Sequence, residues 1–280
     1  MRFFLRGARA ARFTQAAKAA VLVAAMLLAA CATAPVRNPL ATWVPAPNFG
    51  ERRAQLIVLH FTGEDSAQNS LKTLRTGNSG GPVSAHYLIG GDGHIYQLVA
   101  DSMRAWHAGE GNWGTITDVN SASIGIELDN DGHSPFAPAQ IGSLLRLLTD
   151  LTDRLHIPRT QIVGHEDFAP TRKNDPGPLF PWKQLADAGF GLWPQGPLVD
   201  PPPGFDPWMA LRLIGYPPDD HAAVVRAFHH HYRGMDGEAL DAQDLRILYA
   251  LTRQLLPVRP ASPPPSSSPP SSLQPSSPPR

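Results

Sequence analysis

Three short apolar runs in this chain each end on a side chain that can bind a metal or move a proton. Leu56-Ile57-Val58-Leu59 runs into His60, Ile124-Gly125-Ile126 into Glu127, and Gln161-Ile162-Val163-Gly164 into His165. Two imidazoles and one carboxylate, with a fourth position left for water, make the usual ligand set of a catalytic zinc ion, which lowers the pKa of a water it binds toward about 7. Metal-assisted hydrolysis is the chemistry such a set performs. Spacing along the chain does not choose the carboxylate. Glu127, Asp167 and Asp175, the last in the turn Lys173-Asn174-Asp175-Pro176-Gly177, are all candidates. An ionised Glu127 inside an apolar segment is costly unless partnered, which favours a paired or catalytic role. His165-x-Asp167 with a distant histidine also fits the facial triad of a non-haem iron oxygenase, a rival reading. His229-His230-His231 has the look of a metal tract, but successive helix residues point in different directions, so a solvated or partly buried patch is expected there.

For these side chains to meet, the apolar runs must be strands laid side by side, since ligands in α/β sheets gather at the carboxyl ends of strands. Further strands are predicted at His86 to Ile89 and Ile95 to Leu98, on either side of the turn Gly90-Gly91-Asp92-Gly93. A helix starts near Pro138, with Ile141, Leu144, Leu145, Leu148, Leu151 and Leu155 on one face. A shorter one is predicted over Ser66 to Leu74, capped by Asp65. This is a mixed α/β domain. A Pro/Gly-rich linker, 194–204, separates it (51–193) from a smaller block, 205–256. There, Asp206, Asp220 and Asp241 can cap three amphipathic helices that pack as a bundle.

The ends read differently. Arg-rich residues lead into the apolar run Ala19 to Ala30, too short to span a bilayer of roughly 30 Å, so residues 1–30 read as a signal peptide. Residues 31–50 read as a tether between anchor and domain. Residues 257–280 hold ten prolines and eight serines, a composition that cannot bury a core. The chain has 24 basic and 24 acidic side chains, but five basic residues and no acid precede position 31, which leaves 19 basic against 24 acidic. No basic field for nucleic acid results. A single cysteine, Cys31, forbids a disulfide within the chain.

Five ordered blocks carry a family resemblance over roughly residues 50–190. They are Val58-Leu59-His60-Phe61-Thr62, Ser84-Ala85-His86-Tyr87-Leu88-Ile89, Ala105-Trp106-His107-Ala108-Gly109, Ser123-Ile124-Gly125-Ile126-Glu127-Leu128, and Val163-Gly164-His165-Glu166-Asp167 through Lys173-Asn174-Asp175-Pro176-Gly177. Together they resemble the zinc-dependent N-acetylmuramoyl-L-alanine amidases of the amidase type 2 family, relatives of the peptidoglycan recognition proteins. The resemblance implies a central mixed β-sheet flanked by helices. It makes His60, His165 and Asp175 the ligands of a Zn2+ ion, with Glu127 and Lys173 as catalytic residues beside it, and puts His107 and His86 at the substrate. Phage-type members carry a tyrosine where this chain has Ala85, so that residue's task falls elsewhere. The substrate implied is peptidoglycan or muropeptides; the alternative is a recognition protein that binds them without cleavage, and a monomer is expected.

Leu28-Ala29-Ala30-Cys31 resembles the lipobox of bacterial lipoproteins, which implies lipidation of Cys31. Ala32 in place of Asp then implies the outer membrane, facing the periplasm. The segment Leu213 to Gly234 resembles peptidoglycan-binding domain 1, with His229 where that module usually has Gln, so a three-helix wall-binding module is expected.

Overall fold

In the computed structural model, residues 37–51, 54–218 and 220–256 are described. The signal peptide, Cys31 and the Pro/Ser tail lie outside the described residues. In chain order the elements are β1 (Thr42–Trp43), β2 (Phe49–Glu51), β3 (Leu56–Phe61), α1 (Ala67–Thr76), β4 (Tyr87–Ile89), β5 (Ile95–Gln97), β6 (Met103–Ala105), α2 (Val119–Ala122), β7 (Ser123–Leu128), α3 (Pro138–Leu155), β8 (Ile162–Gly164), α4 (His165–Phe168), α5 (Trp182–Asp187), α6 (Pro207–Ile214), α7 (His221–Arg233) and α8 (Ala242–Leu255). Six strands form one mixed sheet in the order β1-β5-β4-β7-β3-β8. β4, β7, β3 and β8 run parallel, and β5 is antiparallel to β4.

The strands of the sheet's centre are apolar on both sides because both faces are covered. Ile57, Leu59, Ile124 and Ile126 point to one face, where Ile141, Leu144, Leu147, Leu148 and Leu151 of α3 pack on them. Leu56, Val58 and Val163 point to the other, where they share a core with Leu211 and Ile214 of α6, Val224 and Phe228 of α7, and Leu248 of α8. The C-terminal helices are therefore a third layer on the sheet. Asp206, Asp220 and Asp241 cap them as expected.

Two local expectations need correction. α1 is capped by Ser66, whose hydroxyl accepts the Asn69 N–H, while Asp65 binds the Asn69 side chain instead. The segment read as a tether is part of the fold from residue 37: β1 pairs with β5, β2 with β6, and Asn38 is buried with its N–H donated to Gln97 Oε1 at 2.9 Å. Strands of two or three residues are held by backbone pairing and leave no periodicity to read.

Candidate active site

His60 and Glu127 are opposite one another in the parallel register of β3 and β7, both at the carboxyl ends of their strands. β8 flanks β3 on its other side, and His165 is the residue after its end. Asp175 reaches the same point from the loop after α4. That loop is tied back by the Glu166 N–H, donated to the Asp175 carbonyl at 2.9 Å, and by the Gly177 N–H, donated to Glu166 Oε1 at 2.9 Å. The result is a buried triangle: His60 Nδ1 lies 2.9 Å from His165 Nδ1 and 2.9 Å from Asp175 Oδ2, and His165 Nδ1 lies 3.1 Å from Asp175 Oδ2. Asp175 is thus the carboxylate of the cluster. Asp167 is not, which overturns the His165-x-Asp167 facial triad. Its oxygens accept the Gly164 N–H, the Tyr216 hydroxyl and His231 Nδ1–H, because α4 turns it toward the C-terminal helices.

The hydrogen-bond partners fix which ring nitrogens carry protons. His165 Nε2 faces the Ala108 carbonyl at 2.8 Å, an acceptor only, so the proton is on Nε2. The Ser123 hydroxyl donates to the Val119 carbonyl and accepts His107 Nε2–H at 3.2 Å, which leaves His107 Nδ1 to accept His60 Nε2–H at 3.0 Å. Both Nδ1 atoms are then bare and converge with a carboxylate oxygen. Three lone pairs facing one point repel unless a cation lies between them, and donors about 3.3 Å apart are what tetrahedral zinc at roughly 2.0–2.1 Å requires. The donor set fits such an ion to within a few tenths of an ångström.

The electrostatics agree. Burial, reinforced by the neighbouring His165, lowers the His60 pKa from 6.5 to about 4, so the ring stays neutral and able to ligate. Burial alone would raise Asp175, but the two imidazoles override it and hold the carboxyl far below its usual range. Glu127 moves the other way: burial pushes it well above the carboxylate range, Asp175 adds to this, and Lys173 opposes it. Its Oε2 is buried with no hydrogen-bond partner among the described residues. Glu127 and Lys173 line the same cleft of about 320 Å³ as the triangle and His107. An open cleft holding a metal-donor triangle and a proton-accepting carboxylate is the equipment of a metal-assisted hydrolase.

His86 departs from the expectation. It is fully buried, accepting the Gly125 N–H at Nδ1 and donating Nε2–H to the Met103 carbonyl, so it braces β7 from below and does not line the cleft. The histidine triplet is the larger correction, since all three side chains are buried and each meets its own carboxylate. His229 meets Asp244, His230 meets Glu166 and Asp236, and His231 meets Asp167. The divergence of successive helix positions rules out one metal site, as expected, but here it lets one helix address three partners. Burial pushes Glu166 up to about 7 against the pull of His230. The His230 pKa is raised in turn, its carboxylate partners outweighing burial. Sequence reasoning also missed Asn120, whose Oδ1 accepts the His107 and Ala108 N–H groups, and Arg172, which shares the Ala108 carbonyl with His165. An asparagine inside a four-residue helix leaves no signal.

The same conclusion comes from comparison with known proteins. The family model described as N-acetylmuramoyl-L-alanine amidase matches residues 50–178. The N-acetylmuramoyl-L-alanine amidase AmiD of Escherichia coli K12 is 39% identical over 233 residues, covering 71% of this chain and 82% of that protein. The 1,6-anhydro-N-acetylmuramyl-L-alanine amidase AmpD of Enterobacter cloacae is 40% identical over 103 residues, 37% of this chain and 55% of its own length. Among solved structures, E. coli AmiD with the substrate anhydro-N-acetylmuramic acid-L-Ala-D-gamma-Glu-L-Lys matches at TM-score 0.64 and 36% identity, covering 73% of this chain and 91% of that one. AmpDh3 of Pseudomonas aeruginosa matches at 0.65 and 32%, covering 78% and 98%. The chain belongs to the amidase type 2 family of N-acetylmuramoyl-L-alanine amidases.

Proposed function

We propose that this chain is a zinc-dependent amidase that hydrolyses the bond between the lactyl group of N-acetylmuramic acid, or its anhydro form, and L-alanine in peptidoglycan or muropeptides. The observation that carries the reading is the convergence of three bare donor atoms near Glu127, whose Oε2 is buried with no hydrogen-bond partner among the described residues. His60, His165 and Asp175 would hold the ion. When bound, zinc supplies Lewis acidity and brings water toward ionisation near neutral pH. Glu127 takes the proton of the attacking water and returns it to the departing amine of L-alanine, a task its raised pKa suits. Lys173 places positive charge where the attacked carbonyl oxygen becomes negative. Ala85 is fully buried and offers no phenol, which leaves the proton work to Glu127. Intact donors favour this reading over a recognition protein without activity.

The lipobox-like Leu28-Ala29-Ala30-Cys31 supports anchorage by lipid at the outer membrane, facing the periplasm, and the resemblance of α6 to α8 to peptidoglycan-binding domain 1 supports wall contact there. The test is release of the L-alanine-terminated peptide from a purified muropeptide, lost on chelation and restored by one equivalent of zinc. Binding of the muropeptide without release would leave the recognition reading instead.

A further inference from the structure

α7 is bonded to both pieces of backbone that present the metal donors. His230 Nδ1–H donates to Glu166 Oε2 at 2.6 Å. Glu166 in turn holds the Asp175 loop twice, through its own N–H to the Asp175 carbonyl and through Oε1 from the Gly177 N–H. His231 Nδ1–H donates to Asp167 Oδ2 at 2.8 Å, and the same oxygen takes the Gly164 N–H at 2.7 Å, one residue before His165. The His231 ring lies flat on Trp182, with centroids 3.7 Å apart and planes 8° from parallel. Gly164 itself is packed so closely that a Cβ there would meet Pro176 Cδ at 2.7 Å. The turn entering α4 and the Asp175 loop are therefore pressed together, and two adjacent histidines from 64 residues away pin one each.

We propose that His230 and His231 are positioning residues of the metal site, acting through Glu166 and Asp167 to hold Asp175 and His165 at ligating distance. The inference rests on the metal reading above. It makes the C-terminal helices part of the catalytic apparatus, whatever they contact in the wall. Partners of metal-ligating groups affect metal affinity about 10–100-fold in other proteins. His229 is the internal control: equally buried and bound to Asp244 at 2.8 Å, but that pair stays within the C-terminal helices.

The experiment is equilibrium metal binding by full-length protein, with zinc measured by chelator competition and the visible spectrum of the Co2+ form read alongside. We expect His230→Ala and His231→Ala to weaken binding at least tenfold and to alter the Co2+ bands. His229→Ala should lower Tm while keeping affinity within twofold of the parent. His230→Asn, whose amide can donate from near the Nδ1 position, should bind as the parent does, whereas His230→Gln, whose amide lies nearer the Nε2 position, should not. The Asn and Gln pair decides the matter even where the alanine variant does not fold. Parental affinity in His230→Gln and His231→Ala, or equal weakening by His229→Ala, overturns the proposal. A parent protein that binds no metal overturns the metal reading instead, so the two failures are distinguishable.

Discussion

Glu127 lies directly across from His60 in the register of two adjacent parallel strands, the one with a buried carboxylate oxygen that has no hydrogen-bond partner among the described residues and the other a corner of the donor triangle. Parallel register carries both side chains to the same face of the sheet, so the distance between them is set by backbone hydrogen bonds and not by loop placement.

Glu127→Gln keeps the shape and removes the proton acceptor. We expect kcat to fall by about 10²–10⁴, with metal content unchanged and no loss of thermal stability, because a costly buried carboxyl is gone. Peptide release with metal analysis of the same sample checks both parts. A variant within tenfold of the parent kcat would remove Glu127 from the mechanism.

His60 is held neutral in the metal-free fold down to about pH 4, against 6.5 for an ordinary histidine. Between those values the unfolded chain is protonated here and the folded chain is not. The stability linked to this group is therefore whole above about pH 6.5 and is lost as the pH falls toward 4. Nitrogen-15 spectra of the metal-free protein should show the Nε2–H form of His60 persisting through pH 5. A midpoint near 6.5 would contradict the site's electrostatics.

Gly125 is a glycine because the His107 ring lies against it: a Cβ would come within 2.4 Å of His107 Cγ. Gly125→Ala must displace that ring, and with it the acceptor for His60 Nε2–H. Overpacking of this kind costs about 1–3 kcal/mol, and metal affinity should drop about tenfold. Denaturant unfolding and chelator competition read the two effects separately; unchanged affinity would show that His107 does not orient His60.

Cys31→Ala tests the anchor. In a bacterial host the parent chain should incorporate radiolabelled palmitate and sediment with outer membranes, and the variant should do neither. Label in the variant would place the acyl chain elsewhere.

Two of the triangle's three donors, His60 and His165, and the neighbouring Glu127 were legible in the sequence, because a strand buried on both faces announces its polar terminus. α3 was legible from its leucine spacing, and the C-terminal helices from their aspartate caps. The choice of Asp175 over Asp167 came from family resemblance alone. Its physical reason is tertiary, since Tyr216, His231 and the Gly164 amide occupy Asp167. The histidine triplet was misread for the same reason. Its carboxylates at Glu166 and Asp167 are 64 residues upstream, and nothing local distinguishes a triplet about to be buried from one in water. β1 and β2 were missed because two or three paired residues show no alternation.

The burial of Asn38 also bears on how far the enzyme can range. Its backbone N–H donates to Gln97 Oε1 and its side-chain amide to Asp150 Oδ2, which fixes it to the body, and seven peptide steps separate it from Cys31. Stretched straight, seven residues cover at most about 25 Å. Moored by the lipid proposed for Cys31, the folded body would ride close to the bilayer, and the muramoyl amide bonds within its reach would be those in the strip of wall nearest that surface.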